Sequence, residues 1–294
     1  MDLINRIYKS FIYRSNRLFR QSKQNVKKVL HRRHLPKLGS LEAQIVKALK
    51  KDGAYISSID ELAEFGLPEV RENYEKLKST LTPTEREELE LSDGYISIVS
   101  KNTIMKNSEI LKWGLNEQLL AIVENYIGLP PLFPGIYLRR DVANSKQTGT
   151  RYWHIDGEDS KIIKVIIYLE DVEKNDGPFC YIPRSSITTE KFEVFNGSRV
   201  NDEDVTKKIP ERFQNECTGP AGTVIFVDTC SVWHRGKTGT NKDRYTAFYI
   251  YSSRIPLRPE AVEPMFSLSN FLVQHPDLSS LQKNALFLSS HQKK

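Results

Sequence analysis

The spacing of hydrophobic residues divides this chain of 294 residues into a helical first part and a second part rich in strands. Within residues 1–39 apolar side chains recur at helical spacing and basic residues fall largely between them, which predicts an amphipathic basic helix. Its apolar positions are Leu3, Ile4, Ile7, Tyr8, Phe11 and Ile12. The dense basic run from Lys27 to His34 then predicts a solvated hinge that ends at Pro36 and Gly39.

Helical patterns dominate residues 40–130, and their ends carry capping residues. Gly53 is placed to end a first helix, and Asn116 is placed to begin a helix that stops at Gly128. Between these two helices, residues 55–56 predict a short strand. This part of the chain is therefore expected to consist mainly of helices and loops.

After Pro134 the pattern changes to that of strands. Runs rich in β-branched and aromatic residues are bounded by Gly, Pro, Asp and Asn. The predicted strands are residues 136–138, 162–169, 223–227 and 245–251. Because helices do not alternate regularly with these strands, the sequence favours a sandwich or barrel over a parallel α/β sheet.

The length fits one large domain with an added segment better than two full domains. The expected fold class is mainly β with flanking helices. The expected division is a basic amphipathic N-terminal segment at residues 1–39, one domain at residues 40–294, a β core at about residues 131–256 within it, and C-terminal helices at residues 257–294.

The net charge of +6 is unevenly distributed along the chain. Residues 1–40 hold eleven Lys or Arg and one acid, so the remaining 32 bases and 36 acids give residues 41–294 a net charge of −4. A mildly acidic body argues against a protein built to bind nucleic acid. Three uses of the basic helix remain open: packing on its own domain, docking on an anionic membrane surface, or binding an acidic carrier protein.

Three cysteines, Cys180, Cys217 and Cys230, are scattered and form no CxxC pair. This set argues against a disulfide framework, suits a reducing compartment, and is expected to be buried as small apolar side chains. A long apolar span and a secretory signal are both lacking from the sequence. The expected location is the cytoplasm, with peripheral contact to a membrane left open.

The most informative motif is Arg151-Tyr152-Trp153-His154-Ile155-Asp156-Gly157. On an extended segment His154 and Asp156 point to the same face, because they are separated by one residue. An imidazole beside a carboxylate supplies two of the three ligands of a 2-His-1-carboxylate metal site, which leaves positions open for chemistry. His234, just beyond the predicted strand at residues 223–227, is the candidate third ligand.

Arg244 opens the predicted strand at residues 245–251, ten residues past His234. A guanidinium on the inner face of a strand needs an anion as partner, because a buried charge without one is costly. Thr246 lies two residues on and therefore on the same face, where its hydroxyl is placed to bind the same anion.

Together these residues resemble the phytanoyl-CoA dioxygenase-like family of Fe(II)/2-oxoglutarate-dependent oxygenases. The resemblance covers about residues 41–256 and is densest at residues 151–186 and 219–251. It implies a double-stranded β-helix, a cupin-like jelly roll. It also implies Fe(II) held by His154, Asp156 and His234, and 2-oxoglutarate anchored by Arg244.

The resemblance further implies an oxidoreductase that consumes O2 and 2-oxoglutarate, hydroxylates an unactivated C–H bond of a small molecule or acyl substrate, and releases succinate and CO2. The chain departs from the family in two places. Residues 183–186 read Pro-Arg-Ser-Ser in place of a Pro-Gly-Ser-His turn, and Gly236 stands where a small polar residue is common. The second contact to 2-oxoglutarate is therefore assigned to either Thr246 or Tyr137.

Two related activities fit less well. Halogenases replace the metal-binding carboxylate with Gly or Ala, whereas this chain keeps Asp156. Nucleic-acid demethylases carry a second arginine six residues past the first, and here that position is Ile250. Two alternatives remain from other classes: a non-catalytic binding domain, and a cupin-like domain that holds another metal.

Overall fold

A computed structural model describes residues 2–64, 69–81, 96–187, 199–239 and 241–289 of the chain. Its helices in the first half are α1 (Asp2–His31), α2 (Ser40–Asp52), α3 (Ile59–Glu64), α4 (Val70–Thr80), α5 (Lys101–Lys106), α6 (Glu109–Gly114) and α7 (Glu117–Ile127). Those in the second half are α8 (Asp202–Lys208), α9 (Leu268–Gln274) and α10 (Ser280–Asn284). None of the described helices combines the length and the apolar character needed to cross a bilayer.

The strands form two antiparallel sheets. They are β1 (Ala54–Ser58), β2 (Ile96–Ile98), β3 (Pro131–Asp141), β4 (Ile163–Tyr168), β5 (Phe179–Tyr181), β6 (Asn215–Cys217), β7 (Thr223–Asp228), β8 (His234–Gly236) and β9 (Arg244–Ser253). The large sheet has the order β1-β7-β4-β9-β3-β2, and the small sheet has the order β6-β5-β8. Neighbours in each sheet are mostly far apart in sequence, so both sheets form only when the whole β region is assembled.

The alternation of side chains along β4 explains the layering. Ile163, Val165 and Ile167 belong to a large apolar core that the major sheet shares with the helices. Ile166 and Tyr168 point the other way and pack with residues of the small sheet. The helices therefore cover one face of the large sheet, and the small sheet faces the other.

The predicted strands and helix ends are confirmed. Gly53 ends α2 with φ 83° and Gly128 ends α7 with φ 79°, a left-handed conformation that glycine adopts without steric cost. The Asn116 side chain accepts hydrogen bonds from two backbone amides in the first turn of α7. In the described part of the chain helical residues outnumber strand residues, so the β core carries a larger helical layer than expected.

The expected hinge after the N-terminal helix is wrong in its first part. α1 continues without interruption to His31, and only residues 32–39 form the connection to α2. Within the basic run, Lys28 and His31 are in the helix and contact the domain through Ser160 and Glu124. Cys180 and Cys217 are buried and Cys230 is half-buried, and all three are free thiols.

Asp228 organises the turn between β7 and β8, which carries His234. Its carboxylate is fully buried, accepts hydrogen bonds from the backbone amides of Ile162 and Cys230, and accepts a third from the Tyr126 hydroxyl at 2.6 Å. Burial raises the pKa of Asp228, although these hydrogen bonds oppose the effect. Helix α7 is thus joined through Tyr126 to the turn that precedes a candidate ligand.

Tyr126→Phe is expected to lower the free energy of unfolding by about 2 kcal/mol, because it removes a donor from a buried carboxyl group. Urea unfolding measures the change. Tyr74→Phe is the matched control, since the Tyr74 hydroxyl donates only a long hydrogen bond of 3.4 Å to the Leu169 carbonyl. An equal loss in the two variants would contradict the assigned role of Tyr126.

Candidate metal centre

A short backbone bridge brings His154 and His234 together. Each residue donates its amide to the carbonyl of the other at 3.0 Å, so their strands run antiparallel at this point. His234 also opens β8, where it pairs with Tyr181 of β5. The segment carrying His154 therefore extends the edge of the small sheet and places the two imidazoles side by side, with ring centroids 4.2 Å apart.

Asp156 completes the group. Its amide donates to the Thr229 carbonyl at 2.9 Å, which fixes the loop that follows His154. One carboxylate oxygen, Oδ1, lies 3.6 Å from His154 Nε2, and the other, Oδ2, lies 3.9 Å from His234 Nε2. One ligand atom from each of the three residues lies within 4.8 Å of the others, a cluster that could hold one metal ion.

Backbone carbonyls orient both imidazoles. Nδ1 of His154 is 2.8 Å from the Tyr152 carbonyl, and Nδ1 of His234 is 3.2 Å from the Val232 carbonyl. A carbonyl can only accept, so Nδ1 carries the proton in both rings. Nε2 is left as a lone-pair donor on the side of Asp156, which is the tautomer that a metal requires.

Burial keeps both imidazoles neutral. It lowers the pKa of His154, and it lowers the pKa of His234 to about 3, although the Asp156 carboxylate opposes the shift in both cases. Burial alone would raise the pKa of Asp156, but the pKa is lowered, chiefly because the Lys164 ammonium lies beside the carboxylate and donates a hydrogen bond to it. At neutral pH the three groups therefore offer two neutral nitrogens and one carboxylate, and none of them must lose a proton before a metal binds.

Lys164 is a fourth member of the centre that the sequence analysis missed. It projects from β4 and donates from Nζ to Asp156 Oδ2 at 2.6 Å. Burial would lower the pKa of Lys164, but the Asp156 carboxylate outweighs burial and raises it, so the pair is ionised. The available signal was a single lysine within the apolar strand at residues 162–169, since such a side chain needs a charged partner.

A small cleft opens beside the two imidazoles. Its lining residues are Arg139, Thr150, His154, Lys164, Phe179, Thr229, His234, Gly236 and Phe248. Phe179 stacks on the His234 ring, and the Arg139 guanidinium lies 4.2 Å from the centre of the Phe248 ring. The cleft thus combines aromatic walls with positively charged side chains next to the metal-binding atoms.

Arg244 is buried close to Gly236, one of the residues that line this cleft. A Cβ added to Gly236 would be 3.3 Å from Arg244 Nη2, so the lack of a side chain there leaves the guanidinium close to the cleft. Nη2 is 3.1 Å from the Asp141 carboxylate, and Nη1 donates to the Gly177 carbonyl. Arg139 is paired with the same carboxylate at 3.1 Å, so two guanidinium groups share Asp141.

The two candidate hydroxyl contacts lie in different surroundings. Thr246 is fully buried on the same face of β9 as Arg244, and its Oγ1 lacks a hydrogen-bond partner among the described residues, as does Nε of Arg244. Tyr137 is 37% exposed and lines a separate cavity with residues such as Lys101 and Met265. The structure therefore brings Thr246, rather than Tyr137, next to Arg244.

Solved structures with a similar fold include the following proteins. HygX from Streptomyces hygroscopicus, with nickel and 2-oxoglutarate bound, has a TM-score of 0.50 and 16% identity over 74% of this chain and 88% of HygX. SnoN, a non-heme alpha ketoglutarate dependent epimerase from nogalamycin biosynthesis, has a TM-score of 0.49 and 13% identity over 73% of this chain and 82% of SnoN. EctD from S. alaskensis, in its apoform, has a TM-score of 0.47 and 18% identity over 74% of this chain and 80% of EctD.

The similarity to HygX shows that this chain has the same fold. Neither a protein-family model nor a curated protein sequence matches the chain. The fold and the local geometry, rather than sequence similarity, therefore carry the functional argument.

The metal-free protein is expected to lose stability as the pH falls from 7.5 to 5. The unfolded chain takes up a proton on each of His154 and His234 below about pH 6.5, whereas the folded chain keeps their lowered pKa values. Each histidine contributes a slope of up to about 1.4 kcal/mol per pH unit. Urea unfolding in the presence of a chelator, repeated across this pH range, measures the free energy of unfolding at each pH.

His234→Gln should make this dependence shallower, while His34→Gln, at an exposed position in the connection to α2, should leave it unchanged. A free energy of unfolding that stays constant between pH 7.5 and 5 in the wild-type chain would show that the two imidazoles are not buried as neutral groups.

Lys164→Met is expected to destabilise the metal-free protein by about 3 kcal/mol, because it leaves the Asp156 carboxylate buried without its cation. Adding Ni(II) should recover most of this loss, since the metal replaces the ammonium as the partner of the carboxylate. Urea unfolding with and without Ni(II) measures both effects.

Lys237→Met is the matched control. Lys237 is paired with Glu216 at 2.6 Å, and its side chain is 21% exposed against 23% for Lys164. Its loss should cost at most about 1 kcal/mol and should not depend on metal. If the two variants lost the same free energy of unfolding and responded equally to Ni(II), Lys164 would not be part of the candidate metal centre.

Proposed function

We propose that this chain is an Fe(II)/2-oxoglutarate-dependent dioxygenase, an oxidoreductase that hydroxylates an unactivated C–H bond of a small-molecule or acyl substrate. The observation that carries the proposal is the convergence of His154, Asp156 and His234, whose ligand atoms lie within 4.8 Å of one another. The fold shared with HygX, whose solved structure holds nickel and 2-oxoglutarate, supports it. The facing sheets are consistent with a double-stranded β-helix.

The residues present fit a divalent iron ion. Two neutral imidazole nitrogens and one carboxylate are the donor set of the 2-His-1-carboxylate centre, which leaves other coordination positions open. His154, Asp156 and His234 would hold the metal. Lys164 occupies Oδ2 of Asp156, which leaves Oδ1 as the available oxygen and favours one-oxygen binding by the carboxylate.

The wall of the cleft fits a dicarboxylate cosubstrate. Arg139, which lines the cleft, and Arg244, which lies close to the lining residue Gly236, place two guanidinium groups around Asp141 in this part of the molecule. Arg244 Nε and Thr246 Oγ1 are buried polar atoms without hydrogen-bond partners among the described residues. We assign the distal carboxylate of 2-oxoglutarate to Arg244 and Thr246, with Tyr137 as the other candidate hydroxyl.

When bound, Fe(II) and 2-oxoglutarate activate O2 for C–H oxidation, with release of succinate and CO2. The chain itself positions the reactants and excludes water. Phe179 and Phe248 form aromatic walls beside the imidazoles, and the Tyr152 and Val232 carbonyls keep both Nε2 atoms turned toward the metal position. Retention of the Asp156 carboxylate favours hydroxylation over halogenation.

The aromatic and cationic walls of the cleft support a compact organic substrate. The motif resemblance assigns the chain to the phytanoyl-CoA dioxygenase-like branch, and this assignment is part of the proposal. The alternatives from other classes, a non-catalytic domain or a cupin-like domain with a different metal, do not account for the buried polar atoms Arg244 Nε and Thr246 Oγ1, which lack hydrogen-bond partners among the described residues.

Anaerobic titration of the metal-free protein with Fe(II) and then 2-oxoglutarate tests the proposal. The wild-type chain should develop the weak visible charge-transfer band of the chelated cosubstrate. His234→Ala should abolish the band. Arg244→Lys should retain Fe(II) binding but require at least ~10-fold more 2-oxoglutarate, because it loses the two-pronged contact to a carboxylate.

Thr246→Val should lower the affinity for 2-oxoglutarate about 5-fold, because one hydrogen bond to the cosubstrate is lost. Thr223→Val is its control, since Thr223 lies on the large sheet but donates to the Pro220 carbonyl. A wild-type chain that binds Fe(II) without forming the band on addition of 2-oxoglutarate would overturn the oxygenase assignment.

A further inference from the structure

Helix α1 contacts the domain through its polar side. Gln24 is 1% exposed and donates from Nε2 to Asp159 Oδ1 at 2.6 Å and to the Ile255 carbonyl at 2.8 Å. Lys28 donates to the Ser160 hydroxyl at 3.2 Å. These contacts tie the helix to the loop that follows the candidate ligand Asp156.

The contact between α1 and the domain is also polar at its two ends, near Arg20 and His31. Arg20 donates to the Leu257 carbonyl at 2.9 Å, and His31 lies in hydrogen-bonding contact with the Glu124 carboxylate of α7. Amphipathic helices of globular proteins normally bury their apolar side. Here the side that packs against the domain is held by hydrogen bonds.

The apolar side of the same helix is exposed. Five large hydrophobic residues of α1 are between 61% and 73% exposed: Leu18, Phe19, Val26, Val29 and Leu30. At 100° per residue they fall within an arc of about 120°, and we call this surface the apolar stripe. In the sequence, the apolar positions of residues 3–12 follow the same helical periodicity.

The stripe lies in a strongly basic segment. Residues 1–40 contain eleven Lys or Arg, and between Asp2 and Glu42 the sequence has no acidic residue. A second copy of the helix would bring like charges together, which opposes self-association through this surface. An anionic plane suits both properties, because it accepts apolar side chains and attracts the surrounding cations.

A cavity of about 270 Å³ adjoins the stripe at Leu30. Its basic lining groups include Lys27, His34 and Arg254, and Leu129 is among its apolar lining residues. Burial lowers the pKa of Arg254, whose Nε donates to the Phe287 carbonyl. These basic side chains therefore lie at one edge of the apolar stripe.

We propose that α1 is a peripheral membrane anchor, which lays the apolar stripe into the surface of an anionic lipid bilayer while its polar side carries the domain. Long basic side chains on either side of the stripe extend toward the headgroups. The anchoring surface is independent of the metal centre, and the proposal holds whether or not the assigned oxygenase activity is correct.

Sedimentation with vesicles tests this proposal on the full-length chain. The wild-type chain should bind vesicles of phosphatidylcholine and phosphatidylserine, and should bind much less to phosphatidylcholine alone or at high salt. Phe19→Glu combined with Val29→Glu should reduce the partition coefficient roughly 50-fold, because two apolar side chains are lost and the local positive charge is reduced.

Val273→Glu is the matched control. Val273 lies on α9 and is 80% exposed, against 73% for Val29, so both substitutions place a charge on an exposed helix surface. The control should bind vesicles like the wild-type chain. Unchanged unfolding midpoints in all variants would show that the substitutions act on binding rather than on folding.

Four results would overturn the proposal. They are no binding of the wild-type chain to phosphatidylserine vesicles, equal binding to phosphatidylcholine alone, equal binding by the doubly substituted variant, and binding only to a purified acidic acyl carrier protein. Self-association of the wild-type chain without lipid, lost in the doubly substituted variant, would likewise assign the apolar stripe to a second copy.

Discussion

The pair of backbone hydrogen bonds between His154 and His234 is the constraint on which the candidate metal centre depends. It joins an edge segment to β8 and fixes the separation of the two imidazoles before any metal is present. The remaining features act on this pair. Backbone carbonyls set the tautomer of each ring, the amide of Asp156 is held by Thr229, and Asp228 stabilises the turn leading to His234. The centre is therefore preorganised by main-chain contacts that most side-chain substitutions leave intact.

The sequence identified the three candidate ligands that the structure brings together, because their pattern is local. His154 and Asp156 share a face through strand alternation, and His234 follows an apolar strand. It could not predict the Lys164 contact to Asp156, since that pairing depends on how β4 lies across the loop after His154. Two guanidinium groups sharing Asp141 were missed for the same reason: their strands become neighbours only in the assembled sheet.

The N-terminal helix illustrates a different limit. Its periodicity correctly predicted a helix, whereas docking of this basic helix on an acidic surface stays a prediction. Which side would pack on the domain was not predictable, because the answer depends on Asp159. That buried carboxylate also accepts hydrogen bonds from Ser253 and Leu257, so it recruits a polar partner, Gln24, from the helix. A polar group in the domain thus selected the polar side of an otherwise amphipathic helix.

This choice of packing has a consequence for the apparent boundary at residue 39. The basic composition of residues 1–39 suggests a segment that could be removed without effect on the domain. However, Gln24 covers the carboxylate of Asp159, which lies only three positions beyond Asp156. A truncated chain would expose Asp159 to water and would remove a support of the loop that follows the candidate ligand Asp156. Residues before position 39 therefore help to hold that loop in place.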